Sequence, residues 1–146
     1  MVASAGNDAL DITQAPYYPA GYNASNLVSV AATTNTDYLA SFSNWSATQV
    51  HLAAPGVDVL TTLPNNRYGT VTGTSAAAPL VAGVAGLIKT LRNWVSAQTV
   101  RQSLLQGARP MAALNGKVST GGVVSMGGAI TAFLRNNANW CKRWMQ

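Results

Sequence analysis

The most constraining feature of this sequence is a run of small and apolar residues that follows Gly73-Thr74-Ser75. The run, AAAPLVAGVAGLIKTL, places such residues on nearly every face of a helix, so we predict a helix over residues 75–93 that is enclosed on all sides. Pro79 falls in the first turn of that helix, where backbone N–H groups have no partner within the helix. Small residues at Ala82, Gly83, Ala85 and Gly86 would let neighbouring elements approach closely.

Short β-branched segments before this helix predict strands, at residues 27–33, 50–52, 57–60 and 67–72. The second and third of these are separated by a predicted turn at Ala54-Pro55-Gly56. Two further helices are predicted at 96–106, with Ser96 as N-cap, and at 125–135. Strands followed by a central buried helix indicate an α/β fold, a parallel sheet with helices on its faces.

Composition excludes several classes of protein. The chain has 146 residues, of which 48% are hydrophobic and 9% charged, with a net charge of +5, so it is not intrinsically disordered. The nine Lys and Arg residues are scattered, and no basic stripe indicates a nucleic-acid partner. The single cysteine, Cys141, excludes an internal disulfide. The longest apolar stretch, residues 76–88, is shorter than the about 20 residues of a membrane span, so we expect no membrane partner.

The segment Gly73-Thr74-Ser75 can carry chemistry. A serine where a strand meets a helix lies near the free N–H groups of the helix, which favour developing negative charge. Gly73 allows a tight turn and a close approach by a substrate. On position alone, however, Ser75 is more simply explained as an N-cap residue.

Four motifs favour a functional role for Ser75. They are Val2-Ala3-Ser4-Ala5-Gly6-Asn7, Ser41-Phe42-Ser43-Asn44-Trp45, Leu52-Ala53-Ala54-Pro55-Gly56 and Gly73-Thr74-Ser75-Ala76-Ala77-Ala78-Pro79. In this order they resemble the A-A-G-N, S-F-S-N-aromatic-G, L-A-A-P-G and G-T-S-M-A-x-P motifs of the subtilisin-like serine peptidases, the subtilases. Ala76 stands where that family has methionine, and Ser46 where it has glycine.

The resemblance implies a role for each matched residue. Ser75 would be the nucleophile of an endopeptidase, and its own N–H would be one oxyanion donor. The side-chain amide of Asn7 would be the other donor, although Asn7 alone is more simply a turn residue after Gly6. Ser4, Ala5 and Gly6 would form part of the wall of the pocket that binds the substrate residue before the scissile bond. The substrate would be a polypeptide.

The aspartate and histidine of the family's triad are absent from this sequence, because they precede the oxyanion asparagine and only six residues precede Asn7. His51, the one histidine, lies in a predicted strand and is interpreted as structural, while Asp37 and Asp58 are interpreted as solvated loop residues. The chain is therefore expected to be the C-terminal portion of a peptidase domain over residues 1–135. Alone it would be inactive, with an N-terminal complementing segment supplying the base. The alternative is a non-catalytic binding or scaffold protein with the same fold.

Other features predict less. No cofactor is expected: calcium is known in the family, but four scattered aspartates form no metal site. Asn23-Ala24-Ser25 and Asn44-Trp45-Ser46 fit the glycosylation pattern. Residues 136–146 are expected to be a mobile polar tail. The compartment is undetermined: family analogy indicates secretion, but the sequence shows no signal peptide.

Overall fold

The computed structural model describes residues 1–22 and 24–137, which form an α/β fold. The strands of the main sheet lie in the order β1 (Val2–Ser4), β2 (Val28–Thr33), β3 (Leu52–Pro55), β7 (Gly122–Val123) and β6 (Arg109–Pro110). The first four are parallel, and β6 pairs with β7 in the antiparallel direction. The fold class predicted from the sequence is confirmed, with one antiparallel strand at an edge.

All three helices pack on one face of this sheet. They are α1 (Thr74–Leu91), α2 (Ala97–Gln106) and α3 (Met126–Asn136). Alternate residues of β2, Val28, Val30 and Ala32, point into the core that the helices complete. On the opposite face Ala31 packs in a second core, with Ile12 and Leu114 from loops and a short 3₁₀ turn. Within residues 1–22 and 24–137, helices thus cover one side of the sheet, and loops cover the other.

The helix ends follow the capping residues in the sequence. The side chain of Ser96 accepts a hydrogen bond from the Thr99 N–H at 3.1 Å, and that of Ser125 accepts one from the Gly128 N–H at 3.1 Å. The predicted N-cap at Ser96 is confirmed, and Ser125, predicted only as the start of a helix, is the N-cap of α3. Helix α1 differs, because its N-cap is Gly73, which has no side chain to form a cap. Ser75 is therefore the second residue of α1, and the N-cap interpretation of Ser75 is wrong.

A two-stranded hairpin leads into α1. It consists of β4 (Val59–Leu63) and β5 (Arg67–Val71), paired antiparallel. The turn predicted at Ala54-Pro55-Gly56 is wrong, because β3 continues through Pro55, which pairs with Thr33 of β2. Pro55 is tolerated there because it ends the strand, where its missing N–H removes no internal ladder bond.

The prediction that α1 is enclosed on all sides is wrong. Val81 and Ile88 are fully buried, but Leu80, Leu87 and Leu91 are each about 40% exposed (40%, 43% and 41%). A methyl group at Gly83 or Gly86 would meet nothing within 4 Å, so the expected close packing is absent there. The exposed apolar face of α1 is defined here as these three leucines and two glycines. By length and hydropathy α1 could also cross a bilayer, a property that the core helices of soluble proteins share.

The predicted boundary after residue 135 falls close to the end of α3. The helix includes Asn136, and the Asn137 N–H still bonds to the Phe133 carbonyl at 3.1 Å. The remainder of the predicted tail, with Cys141, lies outside the described residues, as does Asn23. The other glycosylation candidate, Asn44, is fully buried, which removes it as an acceptor in the folded chain.

Candidate active site

Ser75 is presented at the start of α1 by a tight packing of two glycines. Gly73 has φ of 152°, and its N–H donates to the Gly56 carbonyl at 2.8 Å. A methyl group at Gly56 would lie 2.6 Å from the Ala32 Cβ, so only glycine permits this approach. The result is an exposed Ser75 in the first helical turn, where backbone N–H groups have no carbonyl four residues earlier to bond.

Asn7 reaches the same turn from a segment far away in the sequence. Its Oδ1 accepts two hydrogen bonds from Thr74, one from the backbone N–H at 2.9 Å and one from the Oγ1 hydroxyl at 2.9 Å. The Thr74 Oγ1 in turn accepts the Gly6 N–H at 3.2 Å. Because the carbonyl oxygen of the Asn7 amide is held by two donors, the orientation of the amide is fixed and its Nδ2 remains available to donate.

The geometry around Gly73 shows where that Nδ2 lies. A methyl group at Gly73 would be 3.1 Å from the Ser75 Oγ and 3.5 Å from the Asn7 Nδ2. The hydroxyl of Ser75 and the amide donor of Asn7 therefore flank one small space above Gly73. An oxygen that acquires negative charge in this space would face an amide N–H and the amino end of α1.

A cavity of about 490 Å³ adjoins Ser75. Its lining residues are Met1, Val2, Ala3, Ser4, Pro19, Ser75, Ala78, Pro79 and Ala82. Of the three residues predicted to form a substrate pocket, Ser4 lines this cavity. Ala5 and Gly6 are buried and do not line it. The small side chains leave room for an apolar group beside the serine.

His51 is directed away from Ser75. Its Nδ1 accepts the Ser29 N–H at 2.9 Å, and it lines a separate cavity of about 240 Å³ with Gly21, Tyr22, Thr48 and Gln49. Burial, with a smaller contribution from the positive charge of Arg101, lowers the pKa of His51 to about 4. Within residues 1–22 and 24–137 no side chain hydrogen bonds to the Ser75 hydroxyl, so these residues provide no base for it.

The aspartates are engaged elsewhere. Asp37 forms an ion pair with Arg109 at 2.8 Å, and Asp58 lies exposed in a turn. Hydrogen bonds from Thr13 lower the pKa of Asp11. In the part of the chain that the structure describes, no group of three or more histidine, cysteine, aspartate or glutamate residues could hold a metal ion.

Sequence reasoning assigned no role to Thr74 or to the side chain of Asn44, although both lie within its motifs. Thr74 bonds Asn7 across 67 positions of the sequence, and Asn44 bonds Asp8 and Leu10 across more than 30. The sequence signal was their place in the motifs.

Comparison with known proteins places this chain in a family. The sequence matches the profile of the Subtilase family over residues 1–128. The chain therefore belongs to the subtilases, which are subtilisin-like serine proteases, as its four motifs predicted.

Individual relatives agree with this assignment. The chain is 42% identical over 109 residues to a thermophilic serine proteinase of Bacillus sp. (strain AK1), covering 74% of this chain and 25% of the relative. It is 36% identical to the extracellular basic protease of Dichelobacter nodosus, covering 92% of this chain and 23% of the relative. A major intracellular serine protease of Bacillus subtilis is 43% identical over 61% of this chain and 28% of the relative, so family membership does not decide the compartment.

Solved structures show the same fold. A chain of the subtilase cytotoxin SubAB assembly superposes with a TM-score of 0.80 at 27% identity, covering 93% of this chain and 49% of that one. The self-cleaved protease domain of PatA superposes with a TM-score of 0.74 at 33% identity, covering 90% of this chain and 49% of that one. This chain thus spans about half the length of these solved chains, and about a quarter of the length of the three relatives named above.

Proposed function

We propose that this chain forms the nucleophile-bearing part of a subtilisin-type serine endopeptidase. Ser75 adds to the carbonyl carbon of a peptide bond as a base takes its hydroxyl proton. The tetrahedral intermediate then expels the amine, which receives that proton, and water hydrolyses the acyl-enzyme that remains. The Asn7 Nδ2 and the Ser75 N–H stabilise the oxyanion. The observation that carries this proposal is the fixed Asn7 amide, whose oxygen is held by Thr74 and whose nitrogen, like the Ser75 hydroxyl, borders the space above Gly73.

The base for Ser75 comes from outside these residues in this proposal. His51 is the one histidine of the sequence, and its contact with Ser29 and its separate cavity remove it from the reaction. In a subtilisin, loss of the catalytic histidine alone lowers kcat by about 10⁶. The chain by itself is therefore inert as a peptidase, and a segment that carries a histidine and an aspartate completes it.

The surface beside Ser75 supports the docking of such a segment. Strand β1 lies at an end of the described sheet, so its outer backbone groups are open to a further strand. The exposed apolar face of α1 lies on the helix that also carries Ser75, and a helix could pack closely against Gly83 and Gly86. A cavity of about 220 Å³ opens near Val2 and Ala85, between these two elements.

The polypeptide substrate would place the side chain before its scissile bond in the 490 Å³ cavity that Ser4 and Ser75 line. Apolar lining residues such as Val2, Ala78 and Pro79 favour an apolar side chain there. Besides water, each step of the proposed reaction uses side-chain and backbone groups of the protein, so the proposal includes no cofactor.

Serine-dependent cleavage tests the proposed function. The native gene product is isolated, its intact mass is compared with 15.2 kDa, and any longer or complexed form is assayed on a peptide ester. We expect Ser75→Ala to abolish turnover and Asn7→Ala to lower kcat about 10²–10³-fold at similar KM, because only the transition state uses that donor. The control is Ser125→Ala, which alters the N-cap of α3. Because Ser125 does not line the cavity beside Ser75, this variant should keep the wild-type kcat.

A non-catalytic binding protein with this fold is the second candidate, favoured by the lack of a base among the described residues. It predicts a native product of 15.2 kDa that binds a partner, with Ser75→Ala leaving its biological effect unchanged. Failure of every longer or complexed form to cleave a peptide ester would decide for this candidate over the peptidase.

A further inference from the structure

The Ser41-Phe42-Ser43-Asn44-Trp45 motif has no role in the site described so far, yet it runs directly alongside the segment that carries Asn7. The Asn44 N–H donates to the Gly6 carbonyl at 2.9 Å, and the Trp45 N–H donates to the Leu10 carbonyl at 3.0 Å. Residues 5–10, which we call the oxyanion loop, are thus paired with this motif along most of their length.

The side chain of Asn44 fills the inside of the oxyanion loop. Its Oδ1 accepts the N–H groups of Asp8 at 2.9 Å and Leu10 at 3.0 Å. Its Nδ2 donates to the Ala5 carbonyl at 3.1 Å and to the Asp8 carboxylate at 3.4 Å. Asn44 is fully buried, so a single amide uses both its acceptor and its two donors on residues that precede and follow Asn7.

The backbone of the loop needs such support. Gly6 has φ of 105° and Ala9 has φ of 58°, a region that residues other than glycine seldom adopt. A methyl group at Gly6 would collide with the Asn44 Nδ2, which shows how closely the amide packs against the loop. The loop conformation therefore depends on the amide that it encloses.

We infer that Asn44 is a positioning residue for the oxyanion hole: it holds the backbone on both sides of Asn7, while Thr74 orients the Asn7 side chain. This inference rests on the proposed function, because it concerns how Asn7 acts in catalysis. No other side chain of this size offers two donors and an acceptor in one plane. Aspartate loses both donors and places a second carboxylate beside Asp8.

The test compares Asn44→Ala with Ser43→Ala in the complete, active protein. Ser43 is the neighbouring buried residue, and its hydroxyl bonds the Ala32 N–H and the Asn44 carbonyl but no residue of the oxyanion loop. We expect Asn44→Ala to lower kcat about 10- to 100-fold with KM within about twofold, the effect of a catalytic group displaced by about 1 Å. Backbone hydrogen exchange at Asp8 and Leu10 should accelerate at least about tenfold. Ser43→Ala should leave kcat and these two exchange rates unchanged.

A second variant covers the case in which Asn44→Ala does not fold. Asn44→Asp should also lose kcat, and adding Asp8→Asn should restore part of it, because the amide introduced by this second substitution donates to the carboxylate introduced by the first. An unchanged kcat in Asn44→Ala would overturn the inference. If only Asn44→Asp folds, an unchanged kcat in that variant would overturn it. An equal loss of kcat in Ser43→Ala would also overturn it. An inactive wild-type protein would instead refute the proposed function; the exchange rates at Asp8 and Leu10 then decide alone whether Asn44 holds the loop.

Discussion

Thr74 connects the two parts of the oxyanion site at the scale of single residues. Its hydroxyl accepts the Gly6 N–H and donates to the Asn7 Oδ1, while its backbone N–H donates to the same Oδ1. One side chain, adjacent to the proposed nucleophile Ser75, therefore contacts both the backbone and the side chain of the oxyanion loop. Because Thr74 is 1% exposed, water does not replace these bonds when they are lost.

Thr74→Val should lower kcat about tenfold in the complete protein, because the Asn7 amide keeps one of the two donors that orient it, and one hydrogen bond contributes about 1 kcal/mol. Thr74→Ser keeps the hydroxyl and should retain most of the activity. The measurement is kcat and KM on a peptide ester for both variants. Equal kcat for valine and wild type would show that the backbone bond alone orients Asn7.

At this scale the motifs of the sequence identified Ser75 and Asn7 as the residues to examine, and the structure places both residues next to Gly73. The contacts of Thr74 and Asn44 could not be predicted in the same way. Each depends on a hydrogen bond between segments more than 30 positions apart, and a single sequence contains no distance information.

At the scale of elements, helix α1 has two sides with different surroundings. Its buried side, with Val81 and Ile88, packs on the sheet, while its exposed apolar face has no cover among the described residues. The sequence predicted this helix from its long run of small and apolar residues. It could not predict which side is covered, because small and apolar residues occur all round the helix and leave no polar face as a marker.

Two glycines of the helices should respond in opposite ways to the same substitution. A methyl group at Gly107 would overlap the backbone of Gly128 and Ala129, so Gly107→Ala should destabilise the chain by about 3 kcal/mol. A methyl group at Gly86 meets open space, so Gly86→Ala should stabilise the isolated chain by up to about 1 kcal/mol through helix propensity. Urea unfolding of the two variants checks this pair. Similar effects of both would contradict the packing at α2 and α3.

The buried histidine makes the stability of the whole molecule depend on pH. Folded His51 has a pKa of about 4, against 6.5 in the unfolded chain, so the unfolded state binds a proton first as the pH falls. The free energy of unfolding should therefore be insensitive to His51 above about pH 7 and should decrease between about pH 6.5 and 4. His51→Gln should flatten this dependence in urea titrations at pH 7 and pH 5. If the free energy of unfolding changes equally with pH in the variant and the wild type, His51 has the ordinary pKa of a histidine.

The whole fold was predictable in class and in part of its order. The predicted N-cap at Ser96 marks the start of α2, the third helix starts where it was predicted, at Ser125, and β-branched residues marked β2. Strand β1 was missed because three residues are too few to show a period. The strand predicted at residues 50–52 shares only Leu52 with β3, and its end was misplaced because Pro55 indicates a turn in most contexts. Parallel pairing over long sequence separations decided both.

The shared position of Ser75 and the exposed apolar face on one helix has a consequence for inhibition. In the proposed enzyme, a compound that binds the exposed apolar face of α1 at Gly83 and Gly86 would compete with the complementing segment rather than with the substrate. Raising the substrate concentration would not relieve such an inhibitor. Its selectivity among related proteases would depend on the side chains of the exposed apolar face of α1 and not on the reaction that these proteases share.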